Sequence, residues 1–276
     1  MDLLQAPFEA ERARASAPVV APLALLGAGM LAGVALGLEV EMLPGLGPAL
    51  GRAVQGAAVH GGFIAIGFLI AFQGQRAWRR PALRMALALL GAFVISRWEP
   101  WGSVAFLLVP VLLLREARAE PVLARMGAHG APRLRAVVLG LASGGVLGVH
   151  LLISASLTFG YAVRVHSPGL YLASVAYDVG ASALSVEWLF RGALFSHWWR
   201  HWGFWPAAAL STAASLIRYL LDPALPRTLE MGAGAVFYMA LLGLCASTLR
   251  AWSGTLVPGY LATLAFFAVY RMLAVG

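Results

Sequence analysis

Glu187 and Arg191 have the side chains best placed to do chemistry, and they lie four positions apart in the sequence AYDVGASALSVEWLFRGALF. Residues at this spacing share one face of an α-helix, so the carboxylate and the guanidinium can pair. The run is otherwise apolar enough to lie in lipid, where a charged side chain costs about 2.5–3.5 kcal/mol at mid-membrane. Such residues usually face each other, a cavity or a reaction centre. The pair predicts a catalytic or binding site, or a structural ion pair that tolerates burial.

Asp178 is a second acidic residue in the same apolar run, nine positions before Glu187. At 100° per residue it points to the opposite helix face, about 13.5 Å away along the axis. It therefore does not complete a pair of carboxylates with Glu187. We expect it to pair with Arg218 or with His150, or to serve substrate binding or proton transfer.

Four histidines lie within or beside the apolar segments. His60 and His150 are expected to be hydrogen-bonded core residues, or to enter a central cavity. His197 and His201 have the four-residue spacing that can hold zinc from one helix face, but no glutamate lies between them. Their surroundings indicate an aromatic belt at a membrane interface: Trp198, Trp199, Arg200, Trp202 and Trp205. We predict no metal and no cofactor.

The composition indicates the elements that must position these residues. The chain has 276 residues, 61% of them hydrophobic and 12% charged, with a mean hydropathy of +0.80, which excludes an ordinary soluble domain. Seven apolar segments have about the length needed to cross a bilayer: 19–38, 54–72, 136–157, 169–190, 204–221, 231–249 and 255–273. Two shorter segments, 82–96 and 102–114, predict two short spans or one re-entrant unit. The predicted fold is an all-α transmembrane bundle of about nine spans.

The arginines predict an orientation. All twenty basic residues are arginine, and nine alternating spans place most of them on one side of the membrane. They are Arg12, Arg14, Arg76, Arg79, Arg80, Arg84, Arg115, Arg118, Arg125, Arg133, Arg135, Arg191, Arg200 and Arg250. Positive loops are retained inside, so we expect an N-terminus inside a bacterial cytoplasmic membrane. The net charge of +8 is then topological, and nucleic-acid binding is not expected.

The segment 115–135 divides the chain. This arginine-rich loop carries helix breakers and predicts an N-terminal helical unit, 1–135, followed by a second unit, 136–276. Glycines recur every four residues in two spans, at Gly29, Gly33, Gly37 and at Gly140, Gly144, Gly148. We expect these to be packing seams inside one bundle, with a dimer interface as the alternative. The first seventeen residues lack the basic start of a cleaved signal peptide, and we expect the first helix to stay.

The window from Val186 to Gly192 resembles the first motif of the CPBP family, the CAAX proteases and bacteriocin-processing intramembrane proteases. That motif runs Glu-Glu-x-x-x-Arg and is usually followed by Gly. Here Glu187, Arg191 and Gly192 match, and Val186 replaces the first glutamate. The resemblance extends over about residues 169–275.

The later family motifs are altered. The Phe-x-x-x-His motif falls on SLIRY, with Ser215 in place of phenylalanine and Tyr219 in place of histidine. A turn that resembles Thr-Gly-Ser-Leu is found as SGTL at 253–256. The His-x-x-x-Asn/Asp motif then falls on Thr263 and Phe267. Neither residue is of the type that the family uses for catalysis.

The resemblance implies a glutamate that activates water and histidines that polarise the scissile carbonyl in a cavity of the bundle. Because only Glu187 and Arg191 are kept of the catalytic set, it predicts a protein with lost or reduced proteolysis that binds a membrane peptide or protein. One alternative is an active protease in which Glu187 is the base and the Tyr219 hydroxyl supplies a hydrogen bond. Another is a transporter or channel. Five residues are expected to converge on the cavity: Glu187, Arg191, Arg218, Tyr219 and Thr263. Arg218 otherwise reaches the membrane surface or pairs with Asp222.

Overall fold

A computed structural model describes residues 48–97, 101–163, 167–220 and 229–274, and almost all of these residues are helical. The main helices are α1 Pro48–Ala71, α2 Arg79–Ile95, α3 Leu108–Ala119, α4 Leu134–Phe159, α5 Pro168–Trp202, α6 Phe204–Leu220, α7 Leu229–Ser253 and α8 Val257–Tyr270. Short 3-10 helices span Arg76–Trp78, Trp101–Leu107 and Pro121–Met126. Two short antiparallel strands, β1 Ala162–Val163 and β2 Leu273–Ala274, pair with each other. The all-α prediction is confirmed.

Four helices of the described part are long and apolar enough to cross a bilayer, as expected for an integral membrane protein. These stretches are Ala53–Ala71, Leu134–Thr158, Pro168–Trp202 and Gly232–Ser253. The apolar helices at Phe204–Ile217 and Val257–Tyr270 are shorter. Each predicted segment from 54–72 onward overlaps a helix, whereas 19–38 and its three glycines lie outside the described residues.

The helix that carries Glu187 is longer than predicted, because α5 continues past residue 190 to Trp202. It contains two π-helical stretches, Asp178–Ser182 and Glu187–Phe195, and each begins at a buried carboxylate. Such wide turns are rare and occur often at functional sites. At 1.5 Å per residue its length is up to about 52 Å, more than the roughly 30 Å of a bilayer core.

The tryptophans at the end of α5 do not all form an interfacial belt. Trp202 and Trp205 are exposed, as that prediction requires. Trp198 and Trp199 are buried, and the Trp199 ring stacks on Phe195 with centroids 5.3 Å apart. The belt prediction is wrong for these two, because the continuing helix turns them into the protein interior.

The glycine seam of α4 packs against α8. A side chain on Gly140 or Gly144 would collide with the main-chain carbonyls of Pro258 and Ala262, so the two backbones are in contact. At Gly148 an added Cβ would lie 3.2 Å from the Phe266 carbonyl oxygen. The predicted seam inside one bundle is confirmed for these glycines. It fixes the position of α8, which carries Thr263.

The connecting segments contact one another at the two ends of the bundle. At one end the Leu256 amide donates to the Gly127 carbonyl at 2.9 Å, which fastens the arginine-rich loop to the α7–α8 turn. At the other end β1 pairs with β2, and the Tyr171 hydroxyl donates to the Ala268 carbonyl at 2.9 Å. The division of the chain into two units at residue 135 stays a prediction. In the structure α1, which precedes residue 135, packs against α5, which follows it.

Candidate functional site

Glu187 lies deep in the bundle, with 3% of its surface exposed. Its Oε1 accepts a hydrogen bond from the Thr263 hydroxyl of α8 at 2.8 Å. Its Oε2 is buried and has no hydrogen-bond partner among the described residues. A buried carboxylate oxygen without a donor is costly, so this atom is a feature that a ligand group can satisfy.

Arg191 lies beside it and is equally buried. The Nη1 atom is 3.9 Å from Glu187 Oε1, which is beyond hydrogen-bond distance, so the ion pair is loose. Neither Nε nor Nη1 has a hydrogen-bond partner in the part of the chain that the structure describes. The pair therefore has two N–H donor groups on Arg191 and one acceptor oxygen on Glu187 that are buried without a hydrogen bond to a described residue.

Two further helices form the walls around the guanidinium. A Cβ at Gly243 of α7 would collide with Arg191 Nη2 and lie 2.8 Å from the Thr212 hydroxyl oxygen of α6. The Thr212 hydroxyl is also buried without a partner among the described residues. Glu187, Arg191, Thr212, Gly243 and Thr263 together form the buried polar cluster, in which α5, α6, α7 and α8 meet.

The other predicted residues lie around this cluster. The buried Ser215 donates to the carbonyl of Thr212 at 2.8 Å, and its hydroxyl is thus bound to its own helix. The half-buried Tyr219 packs edge-on against Phe267, with ring centroids 6.0 Å apart. Val186 is buried in the apolar core and Phe267 in a second apolar cluster. The structure thus brings Glu187, Arg191 and Thr263 together, while the Arg218 side chain and Asp222 lie outside its described part.

Asp178 has a partner that the sequence did not indicate. Arg271, just after α8, donates through Nε and Nη2 to the two carboxylate oxygens at 3.0 and 2.8 Å. His150 is hydrogen-bonded to the Tyr238 hydroxyl at 2.7 Å but exposed, so the prediction of a core residue is wrong, as are its predicted roles as a partner of Asp178 or a cavity residue.

His60 is a hydrogen-bonded core histidine, as predicted. Its Nδ1 lies 2.8 Å from the Ser185 hydroxyl and its Nε2 lies 2.9 Å from the Tyr177 hydroxyl. The Ser185 hydroxyl donates to the carbonyl of Ser182 at 3.2 Å, which leaves it to accept from Nδ1. The rings of His197 and His201 are 4.7 Å apart. Among the described residues, no three His, Cys, Asp or Glu side chains group as a metal site would require.

The sequence missed Thr212 and Gly243. Thr212 lies three residues before Ser215 on α6, so it shares the helix face that was predicted to line the cavity. The sequence around Gly243 does not indicate a role in the site, because that role depends on the position of the Arg191 guanidinium in the folded protein. No family model matches the chain, and comparisons with curated proteins and with solved structures give no match.

Chemically, the buried polar cluster offers N–H donors from Arg191, a hydroxyl from Thr212 and an acceptor oxygen from Glu187. A peptide group presents the complementary pair, one carbonyl acceptor and one N–H donor. Each histidine of the described residues has its contacts elsewhere in the structure. The arrangement suits the recognition of a polar backbone within an apolar environment.

Proposed function

We propose that this protein resembles the CPBP intramembrane proteases in its C-terminal half, has little or no proteolytic activity, and binds a membrane peptide or membrane protein segment at the buried polar cluster. The observation that carries the proposal is the set of buried atoms without partners among the described residues: Glu187 Oε2, Arg191 Nε and Nη1, and Thr212 Oγ1. A ligand that satisfies such atoms gains about 1.5–3 kcal/mol for each hydrogen bond to a charged group. An unwound stretch of a membrane segment has free backbone groups that can do so.

Binding is favoured over hydrolysis because the site lacks part of the machinery. Peptide hydrolysis needs a base for water and a stabiliser for the oxyanion in one prearranged site. Thr263 takes the place of a family histidine, but its hydroxyl donates to Glu187 itself. Tyr219 takes the place of the other, and its ring packs against Phe267. Thr263 therefore joins α8 to the cluster, and Tyr219 forms an aromatic contact with Phe267.

We further propose nine spans in a bacterial cytoplasmic membrane, with the N-terminus inside. The grouping of the helix ends supports this topology, because the loop of residues 115–135 and the α7–α8 turn meet at one end of the bundle. Among the described residues, most arginines lie in the segments that meet at that end. Positive charge of this kind is retained in the cytoplasm.

The test uses the full chain in lipid nanodiscs and a panel of fluorescent single-span peptides, with binding read from anisotropy. We expect saturable binding by a subset of peptides, weakened about tenfold by Arg191→Gln, which corresponds to one charged hydrogen bond. Thr248→Val, at an exposed threonine of α7, is the control and should bind normally.

Mass spectrometry of the same mixtures separates the alternatives. Intact peptides support a binding protein. Cleavage that stops in Glu187→Gln would show an active peptidase. Failure of every peptide to bind, together with solute flux in vesicles that Asp178→Asn abolishes, would favour a transporter and contradict the proposal.

A further inference from the structure

A different part of the molecule contains two adjoining cavities between the 3-10 helix Trp101–Leu107 and the first turns of α5. The first has a volume of about 440 Å³, and Ser103, Tyr177 and Arg271 are part of its wall. The second has a volume of about 270 Å³ and shares Ser103 and Ala173 with the first. The rest of its wall is mainly apolar.

Two polar groups in these walls are free to bind. Ser103 is buried, with 9% of its surface exposed, and its hydroxyl makes no hydrogen bond to a described residue. Arg271 donates hydrogen bonds from Nε and Nη2 to Asp178, while its Nη1 makes no hydrogen bond in the described part of the chain. The side chain is 35% exposed. Ser103 Oγ and Arg271 Nη1 can therefore both donate a hydrogen bond to a ligand in the larger cavity.

The cavities lie at the border of the apolar zone. Arg271 directly follows the apolar helix Val257–Tyr270. Trp101, in the wall of the second cavity, is 74% exposed. Tryptophan at helix ends marks the level where lipid headgroups meet acyl chains. One cavity thus offers N–H and O–H donors and the other is apolar, at the depth where a lipid changes from headgroup to acyl chain.

We propose that the two cavities together bind one anionic phospholipid. Its phosphate contacts Arg271 and Ser103 in the larger cavity, and the first part of an acyl chain lies in the apolar one. A guanidinium suits this role because its planar N–H groups can serve Asp178 and a phosphate at the same time. Basic pockets between membrane helices are known to take phosphate headgroups.

The experiment uses the whole protein in phosphatidylcholine nanodiscs that contain a trace of phosphatidylglycerol with a diazirine on its acyl chain. After irradiation, mass spectrometry maps the labelled residues. We expect label on residues 101–107 and 168–177, reduced about tenfold by excess unlabelled phosphatidylglycerol. Phosphatidylcholine with the same chains and inorganic phosphate should not compete.

Two variants test the cavities themselves. Ala173→Leu fills the shared wall and leaves the Asp178–Arg271 pair intact, and it should reduce labelling about tenfold. Ser103→Ala keeps the packing and removes one hydrogen bond to the phosphate, which should reduce labelling about fivefold. Arg118→Gln, at an exposed arginine near the other end of the bundle, should label normally.

Three results would overturn the proposal. Equal competition by phosphatidylcholine would mean ordinary contact with surrounding lipid. Competition by inorganic phosphate alone would mean that a free anion occupies the site. Unchanged labelling in folded Ala173→Leu or Ser103→Ala would mean that the cavities are not the site.

Discussion

Arg191 occupies a position where its charge is balanced by one loosely paired carboxylate and by little else. The two groups are almost fully buried, and the closest approach between Nη1 and Oε1 is 3.9 Å. A buried charge that loses its partner is strongly destabilising, whereas removal of both charges is often tolerated. The ion pair is therefore expected to behave as a unit in stability measurements.

The substitution Arg191→Gln leaves Glu187 as an unpaired buried charge and should lower the free energy of unfolding by about 3–5 kcal/mol. Adding Glu187→Gln should restore a substantial part of that loss, since both charges are then gone. Unfolding in mixed micelles with increasing SDS measures both values. Strict additivity of the two single substitutions would contradict the coupling.

Gly243 is expected to be irreplaceable for a steric reason. Gly243→Ala puts a methyl group against Arg191 Nη2 and Thr212, so it should weaken peptide binding and destabilise the fold by about 1–3 kcal/mol. Gly234→Ala on the same helix has open space within 4 Å and serves as the control. The same SDS titration and the anisotropy assay give the two readouts. Equal behaviour of the two variants would show that Gly243 does not seat the guanidinium.

The sequence indicated part of the site at this level. Glu187 and Arg191 were recognisable because charge in an apolar run and a four-residue spacing are local properties. Thr263 was recognisable only through the family motif. The pairing of Asp178 with Arg271 joins residues 93 positions apart, and it depends on how α8 is rotated against α5. Sequence periodicity does not determine such a rotation.

The positions of the helices along the chain were predictable where hydropathy alone determines them. The apolar segments from 54–72 onward overlap α1 to α8, because spanning length and lipid contact impose continuous apolar runs. The π-helical stretches of α5 were not predictable, because a wide turn is stabilised by its neighbours. Here Trp188 donates to the carbonyl of Ile64 at 3.2 Å and packs against Gly67, which ties that turn to α1.

The seam between α4 and α8 offers a test with adjacent residues. Gly144→Ala pushes against the carbonyl of Ala262, next to Thr263, and should destabilise the protein by about 1–3 kcal/mol. Gly145→Ala faces open space and should be neutral or stabilising by up to about 1 kcal/mol, since alanine favours helix. Thermal unfolding in detergent compares the two. A larger loss in Gly145→Ala would mean that the seam faces elsewhere.

Across the whole molecule, the two ends of the bundle differ in chemistry. At the arginine-rich end the buried Arg250 donates to the carbonyl of Arg125 at 3.2 Å and packs against Gly127, whose positive φ of 78° suits glycine. At the opposite end lie the Asp178–Arg271 pair and the proposed lipid cavities. The buried polar cluster therefore lies between the arginine-rich end and the proposed lipid cavities.

The proposed orientation gives a labelling prediction from helix direction. α1 and α5 run parallel, because His60 bonds to Ser185 whereas Gly67, later in α1, packs on Trp188. The turn after α1 and the start of α5 therefore lie at opposite ends of the bundle. In a Cys245→Ser background, Ser167→Cys should react with a membrane-impermeant maleimide in intact bacterial spheroplasts.

Gln75→Cys, at an exposed site near Arg76 and Arg79, is the matched position at the other end. It should react only after permeabilisation, because the positive end is retained in the cytoplasm. Gel shifts of the tagged protein report both reactions. The reverse pattern would invert the topology and place the arginine-rich loop outside, while labelling of both cysteines in intact spheroplasts would mean that α1 and α5 do not both cross the bilayer.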